Sequence, residues 1–317
     1  MKHSIALLIL AAGPMLAADA ALMNLVPPDA TVVAGIRIDN TANSKLGQHL
    51  LSQMKDEDAG FRGFIQATGF DPRRDLRELI IASTAAAQLA AQSGAQKGRG
   101  LVLARGVFDV PRIFALAKTA GAPLLKYQGL DVLANSGAGW VVFPDNSTAI
   151  AGDPQMVKSA LDRRQGGAPL DAGMAAKVNE FSGRYDIWMV SSAPVSQFAG
   201  RMPDRQLSGA MKGDMLRGIE QTSGGIRFGT IIQVGGEAVT RSEKDAAALL
   251  DVVKFLTGML QLNREKPDAA KFATLLDTLE LKSEANVMKF NLSVPEADVE
   301  KLLTAPKAPA RRATATL

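Results

Sequence analysis

Apolar and polar positions alternate and break along this chain in a way that spells out most of its elements. Behind the basic start Met1-Lys2-His3, residues 4–16 form a nearly unbroken apolar run that Gly13-Pro14 interrupts near its end. Ala18-Asp19-Ala20 then sets small residues three and one positions before a cut. That pattern predicts a secretory signal peptide over residues 1–20, with the mature protein beginning near Ala21. The run falls short of the roughly 20 apolar residues that span a bilayer, so no transmembrane helix is expected in the mature chain.

After the Pro27-Pro28 turn, residues 31–38 alternate and are rich in β-branched side chains, which predicts a strand. Asn43 or Ser44 can cap a helix that carries Leu46, Leu50, Leu51 and Met54 on one side. Residues 79–83 and 101–107 read as strands, and Asp109 with Pro111 opens a helix carrying Ile113, Phe114 and Leu116. Short strands follow at 124–127, 130–134, 140–143 and 148–151, then a helix over 155–163 behind Asp153-Pro154.

The second half repeats this grammar. It has a strand at 187–191, a helix opened by Pro194, and one strand over 226–234 that continues through Gly235-Gly236 into 238–240. Ser242 caps a helix with Leu249, Val252, Val253, Leu256, Met259 and Leu260 at helical spacing. A helix over 268–276, strands at 279–283 and 287–294, and a helix opened by Pro295 complete the order. The segments Pro154 to Leu161 and Pro295 to Leu303 echo each other and point to an internal duplication. The expectation is an α+β protein of two related lobes, 21–166 and 167–304, each a mostly antiparallel sheet with helices packed on one face. Residues 305–317 read as a disordered basic tail.

Composition narrows the function. At 47% hydrophobic and 21% charged residues, the 317-residue chain can bury a core. It has no cysteine, which excludes disulfides, a lipidated N-terminal cysteine, thiol catalysis and thiolate metal sites. Lys307, Arg311 and Arg312 in the tail supply most of the net charge of +4. The nearly neutral body argues against nucleic acid as a partner. The tail is suited to weak contact with an anionic membrane surface.

Leu25-Val26-Pro27-Pro28-Asp29-Ala30 ahead of the first strand, and Gly69-Phe70-Asp71-Pro72-Arg73-Arg74-Asp75-Leu76 ahead of the second, form a recognisable pair of motifs. In both, the chain resembles a family of uncharacterised secreted bacterial proteins. The resemblance covers mainly the first half. It implies a secreted α+β protein and supplies no activity or site residue.

Candidate chemistry is sparse. His49 is the only histidine outside the leader, and no Gly-x-Ser-x-Gly elbow exists to give it a nucleophile. Asp56-Glu57-Asp58 are adjacent, so their side chains diverge rather than form an acid–base pair. Gly94 to Gly100 has the glycines of a phosphate cradle but leads into a strand, not a helix. Arg73, Arg74 and Arg77 are the candidate anion-binding face, and the same three can pair locally with Asp71, Asp75 and Glu78. Trp140 and Trp188 fall in strands, where core packing suits them. No metal or cofactor is expected.

These features describe an exported, periplasmic or secreted, non-enzymatic binding or interaction protein of the cell envelope. An alternative is a carrier of an apolar or lipid ligand in a groove between sheet and helices, lined by Met54, Met156, Met189, Met259 and Met288. A second alternative is a carboxylate-dependent hydrolase whose acids are brought together by folding.

Overall fold

The computed structural model describes residues 17–52, 59–85, 100–135, 139–194, 217–262 and 275–304. They form an α+β protein in which antiparallel pairing dominates. The chain divides into two compact units. One takes the chain up to Ile36 together with Ala67–Ala193, and the other takes Arg37–Gln66 and the chain from Pro194 onward.

The first unit contains β1 (Ala30–Arg37), β2 (Leu76–Thr84), β3 (Leu101–Gly106), β4 (Leu124–Tyr127), β5 (Leu130–Asn135), β6 (Gly139–Asp145), β7 (Thr148–Gly152) and β8 (Ile187–Ser191). Their order across the sheet is β8-β1-β2-β3-β7-β6-β5-β4. Strand β1 runs antiparallel to β8, pairing Val33 with Val190 and Gly35 with Trp188. The β-branched side chains that alternate along these strands suit a pleated surface with one buried face. Val33, Ile80, Leu101, Leu103, Val132, Val142 and Ile150 make that face and are fully buried.

Aspartates start the covering helices. Asp153 accepts from the amides of Gln155 and Met156 at the head of the Pro154–Arg163 helix. Asp171 accepts from Met174 at the head of the Ala172–Arg184 helix. Each cap satisfies amides that a helix leaves free at its first turn. Val157, Leu161, Val178 and Phe181 from these helices close the core. The Val110–Thr119 helix lies elsewhere. Its Phe114 stands edge-on to Phe143, with ring centroids 6.2 Å apart. Phe143 follows the inward-facing Val142, so it points to the opposite face of β6. The Asp109-capped helix therefore has its aromatic partner on the outer side of this sheet, whereas the sequence pattern predicts helices on one face.

The second unit's sheet has the order β11-β12-β10-β9, antiparallel throughout. Its strands are β9 (Ile219–Arg227), β10 (Ile231–Thr240), β11 (Glu280–Glu284) and β12 (Val287–Pro295). The sequence suggests one strand through 226–234, but the chain turns back at Phe228-Gly229-Thr230. Gly224 then faces Gly236, and Gly225 faces Gly235. Leu249 on the Glu243–Leu262 helix packs with Ile219, Ala238 and Met288, flanked by Leu250 and Val253. Met259, read as part of the same stripe, is exposed. Elsewhere in this unit the amide of Leu46, on the Lys45–Ser52 helix, donates to Glu296 at 3.0 Å.

The unit boundary thus falls after Ala193, not between Gly166 and Pro169. The physical reason is that the Ala172–Arg184 helix and β8 complete the first unit's core through Phe181, Tyr185, Trp188 and Val190.

One prediction arises in the β11–β12 hairpin. Its two-residue turn places Ala285 at φ 49°, a conformation that glycine adopts without a Cβ penalty. Ala285→Gly is expected to stabilise the protein by about 0.5–1 kcal/mol, read as a higher urea midpoint at unchanged slope.

Candidate functional site

Residues 17–26 are built into the first unit. Ala18, Leu22, Leu25 and Val26 are all buried. Asp19 caps the short Ala20–Met23 helix, accepting from the amides of Ala21 at 2.8 Å and Leu22 at 3.1 Å. The amide of Ala18 donates to Ser182 at 3.1 Å, and that hydroxyl is fully buried. The amide of Asp19 donates to the Glu78 carboxylate, 3.2 Å from one oxygen and 3.4 Å from the other. Glu78 is itself buried, on the same face of β2 as Ile80 and Ala82.

Arg105 on β3 ties this segment to the sheet. Its Nε donates to Asp19 Oδ2 at 2.8 Å, and its Nη1 donates to Thr148 at 2.6 Å and Ser147 at 3.2 Å. Burial pushes the Asp19 carboxyl upward, but the Arg105 hydrogen bond and the capping amides outweigh it and hold the group below its usual range. The same pair raises Arg105, chiefly through the Asp19 hydrogen bond.

Beside this segment lies a cavity of about 820 Å³. Its apolar lining includes Leu22, Leu25, Pro144, Leu170 and Ala175, and its polar lining includes Arg105, Asp145, Arg163, Arg164 and Asn179. Arg163 and Arg164 end the Pro154–Arg163 helix, and the chain then turns through Gly166 at φ 107°, which a side chain would resist. Arg163 donates from Nη2 to the Leu25 carbonyl at 2.6 Å. Its Nε is buried with no hydrogen-bond partner among the described residues. Burial lowers the Arg163 pKa, while the charges of Asp29 and Asp162 act the other way. This volume lies in the range of small-molecule pockets, and guanidinium groups beside apolar walls suit an anionic head on an apolar body.

The candidate anion face near β2 is arranged differently. Arg73 grips Asp71 through two bonds of 2.9 and 2.7 Å. Arg74 grips Asp75 through two bonds of 2.7 Å. Both aspartates are held below their usual pKa, first by these hydrogen bonds. Arg77 is exposed on β2. Two of the three cations are thus occupied by their own neighbours.

His49 lies half-buried on the Lys45–Ser52 helix of the second unit and is not among the residues that line this cavity. Trp188 and Tyr185 are fully buried in the first core, whereas Trp140 packs at its margin under Lys158, whose Nζ is 5.0 Å from the ring centroid. The methionines do not form one groove. Met156 packs against the first core, Met189 and Met259 are exposed, and Met288 belongs to the second core. Met54, Asp56-Glu57-Asp58 and residues 94–99 lie outside the described residues. Among the described residues, no group of three or more His, Asp or Glu could hold a metal ion. No described helix is long and apolar enough to cross a membrane.

Sequence reasoning missed Arg163, Arg164 and Asp19. The visible signal was the Arg163-Arg164 pair before Gly166-Gly167-Ala168-Pro169, which reads as a lobe boundary.

The fold has counterparts among solved structures. Crystal form I of TP0453 is 10% identical and superposes with a TM-score of 0.50, covering 89% of this chain and 95% of that one. Crystal form IV of TP0453 is 9% identical, again with a TM-score of 0.50, covering 89% of this chain and 96% of that one. At this identity the likeness concerns the fold alone. No protein-family model matches the chain, and no curated protein matches it in sequence.

Proposed function

We propose that this chain is an exported, non-enzymatic binding protein of the cell envelope, and that its ligand is an anionic molecule with an apolar body. The observation that carries this reading is Arg163. Arg163 lines an 820 Å³ cavity together with Arg164 and Leu22, and its Nε, enclosed behind that wall, has no hydrogen-bond partner among the described residues. A buried guanidinium N–H without an acceptor is costly, and an anionic head would supply one. The cavity replaces the methionine-lined groove as the place for an apolar ligand. The basic apolar leader supports export. The helices behind Pro154 and Pro295, each following a strand, support an ancient duplication of the two units.

Thermal unfolding with a long-chain fatty acid and with the corresponding neutral alcohol tests the reading. At a concentration of about 100 times Kd, the acid is expected to raise Tm by roughly 5–10 °C, and the alcohol to leave it nearly unchanged. Arg163→Met combined with Arg164→Met is expected to weaken binding of the acid about tenfold or more. Absence of any shift with the acid would overturn the proposal.

A further inference from the structure

We infer that the leader is removed between Ala18 and Asp19, two residues ahead of the cut that the Ala18-Asp19-Ala20 pattern marks, and that the new α-ammonium of Asp19 pairs with the Glu78 carboxylate. The inference rests on the export reading above. Hydrolysis of that peptide bond consumes one water and leaves a carboxylate on Ala18 and an ammonium on Asp19.

Three candidate cuts differ in what they leave behind. A cut after Ala20 removes Asp19 altogether. The Ala21 nitrogen, now the terminal ammonium, and the amide of Leu22 then lose the Asp19 carboxylate, and Arg105 loses its partner at 2.8 Å. Glu78, only 9% exposed, loses the amide that donates to both of its oxygens. Removing one member of a part-buried ion pair strands the other, which is the costly way to break it.

A cut after Ala17 places the new positive charge on Ala18, which is 8% exposed. The group its nitrogen faces is the neutral, fully buried hydroxyl of Ser182. A charge there is desolvated with no carboxylate opposite it.

A cut after Ala18 places the charge on the nitrogen of Asp19, already 3.2 and 3.4 Å from the two Glu78 oxygens. An ammonium strengthens those hydrogen bonds by adding charge to the donor. It also brings a second cation to a cluster in which Asp19, Asp145 and Glu78 all act on the guanidinium of Arg105. This cut keeps alanine immediately before the scissile bond and puts Leu16 in the third position, where a small residue is usual. It releases Ala18 and its bond to the neutral Ser182 hydroxyl, and keeps every charged contact of Asp19.

The full-length chain should be expressed with export, and the mature protein identified by intact mass and N-terminal sequencing. A start at Asp19 is expected. A start at Ala18 or Ala21 overturns this inference and leaves the export reading standing. A chain that keeps residues 1–18 overturns the export reading and this inference with it. The pairing is tested separately by comparing Glu78→Gln in the Asp19-start chain and in a chain that retains Ala18. The substitution should lower Tm clearly more in the Asp19-start chain, and an equal loss in both overturns the ammonium–carboxylate pair.

Discussion

Gly35→Ala is expected to destabilise the protein by about 3 kcal/mol, lowering Tm by roughly 6–12 °C. Gly35 on β1 sits directly across from Trp188 on β8. A Cβ at position 35 would come within 2.5 to 2.8 Å of three atoms of that indole. Trp188 is only 1% exposed, so it has no free space into which to retreat. Close-packed cores resist an added methyl as firmly as they resist a void. Trp188→Leu should by itself cost about 3–5 kcal/mol through the cavity it leaves. Together the two changes should cost at least 1 kcal/mol less than their sum, because the alanine methyl enters the vacated space. Additive losses in denaturant titrations would show that the glycine is not holding room for the indole.

Asp19→Ala carries the second large effect, about 3 kcal/mol. Roughly 1 kcal/mol follows from losing the cap of the Ala20–Met23 helix, and roughly 2 kcal/mol from leaving Arg105 in its part-buried place without the carboxylate. Asp19→Asn keeps a capping oxygen and removes only the charge, so its cost should be smaller. The pH dependence separates the two contributions. The folded pKa of Asp19 lies below its ordinary value of 3.8. A depressed carboxyl contributes stability that is fully present above the unfolded pKa and is lost as pH falls through the folded one. The difference in stability between the native chain and Asp19→Asn should therefore be constant near neutrality and shrink below about pH 4. Other aspartates, Asp71 and Asp75 among them, also sit low. Only the difference between the two curves reports Asp19. A gap that widens on acidification would contradict the assigned pairing.

Regular alternation made much of the fold legible. The strands read over 31–38, 124–127, 130–134 and 187–191 lie within about one residue of β1, β4, β5 and β8. Asp109, Asp153 and Pro111 marked helix starts through chemistry that is local in sequence. Strand β9 was not legible, because Ser223-Gly224-Gly225 has the composition of a loop. Its pairing depends on Gly235 and Gly236 lying opposite. The lone Gly229 in the turn is also a weaker hairpin signal than Asn-Gly. The candidate site was less legible still. Arg105, Arg163 and Asn179 come together only through folding, and each alone is an ordinary surface cation or amide in the sequence. Asp19 was hidden differently. Ala18 and Ala20 on either side of it fit a processing signal, so its role as a cap and an ion-pair partner was masked by a pattern of another kind.

The pairing of Val33 with Val190 also sets a timetable. Strand β1 leaves the ribosome or a translocation channel long before β8, and no earlier segment pairs with it on that side. The second unit waits longer, since Leu46 takes its acceptor from Glu296 near the end of the chain. Closure of both units is governed by contacts of long sequence separation, which form slowly. A chain so arranged stays open until its last segments have been made. The same delay leaves its apolar strands exposed until the last segments arrive, the interval in which a holding chaperone would matter most.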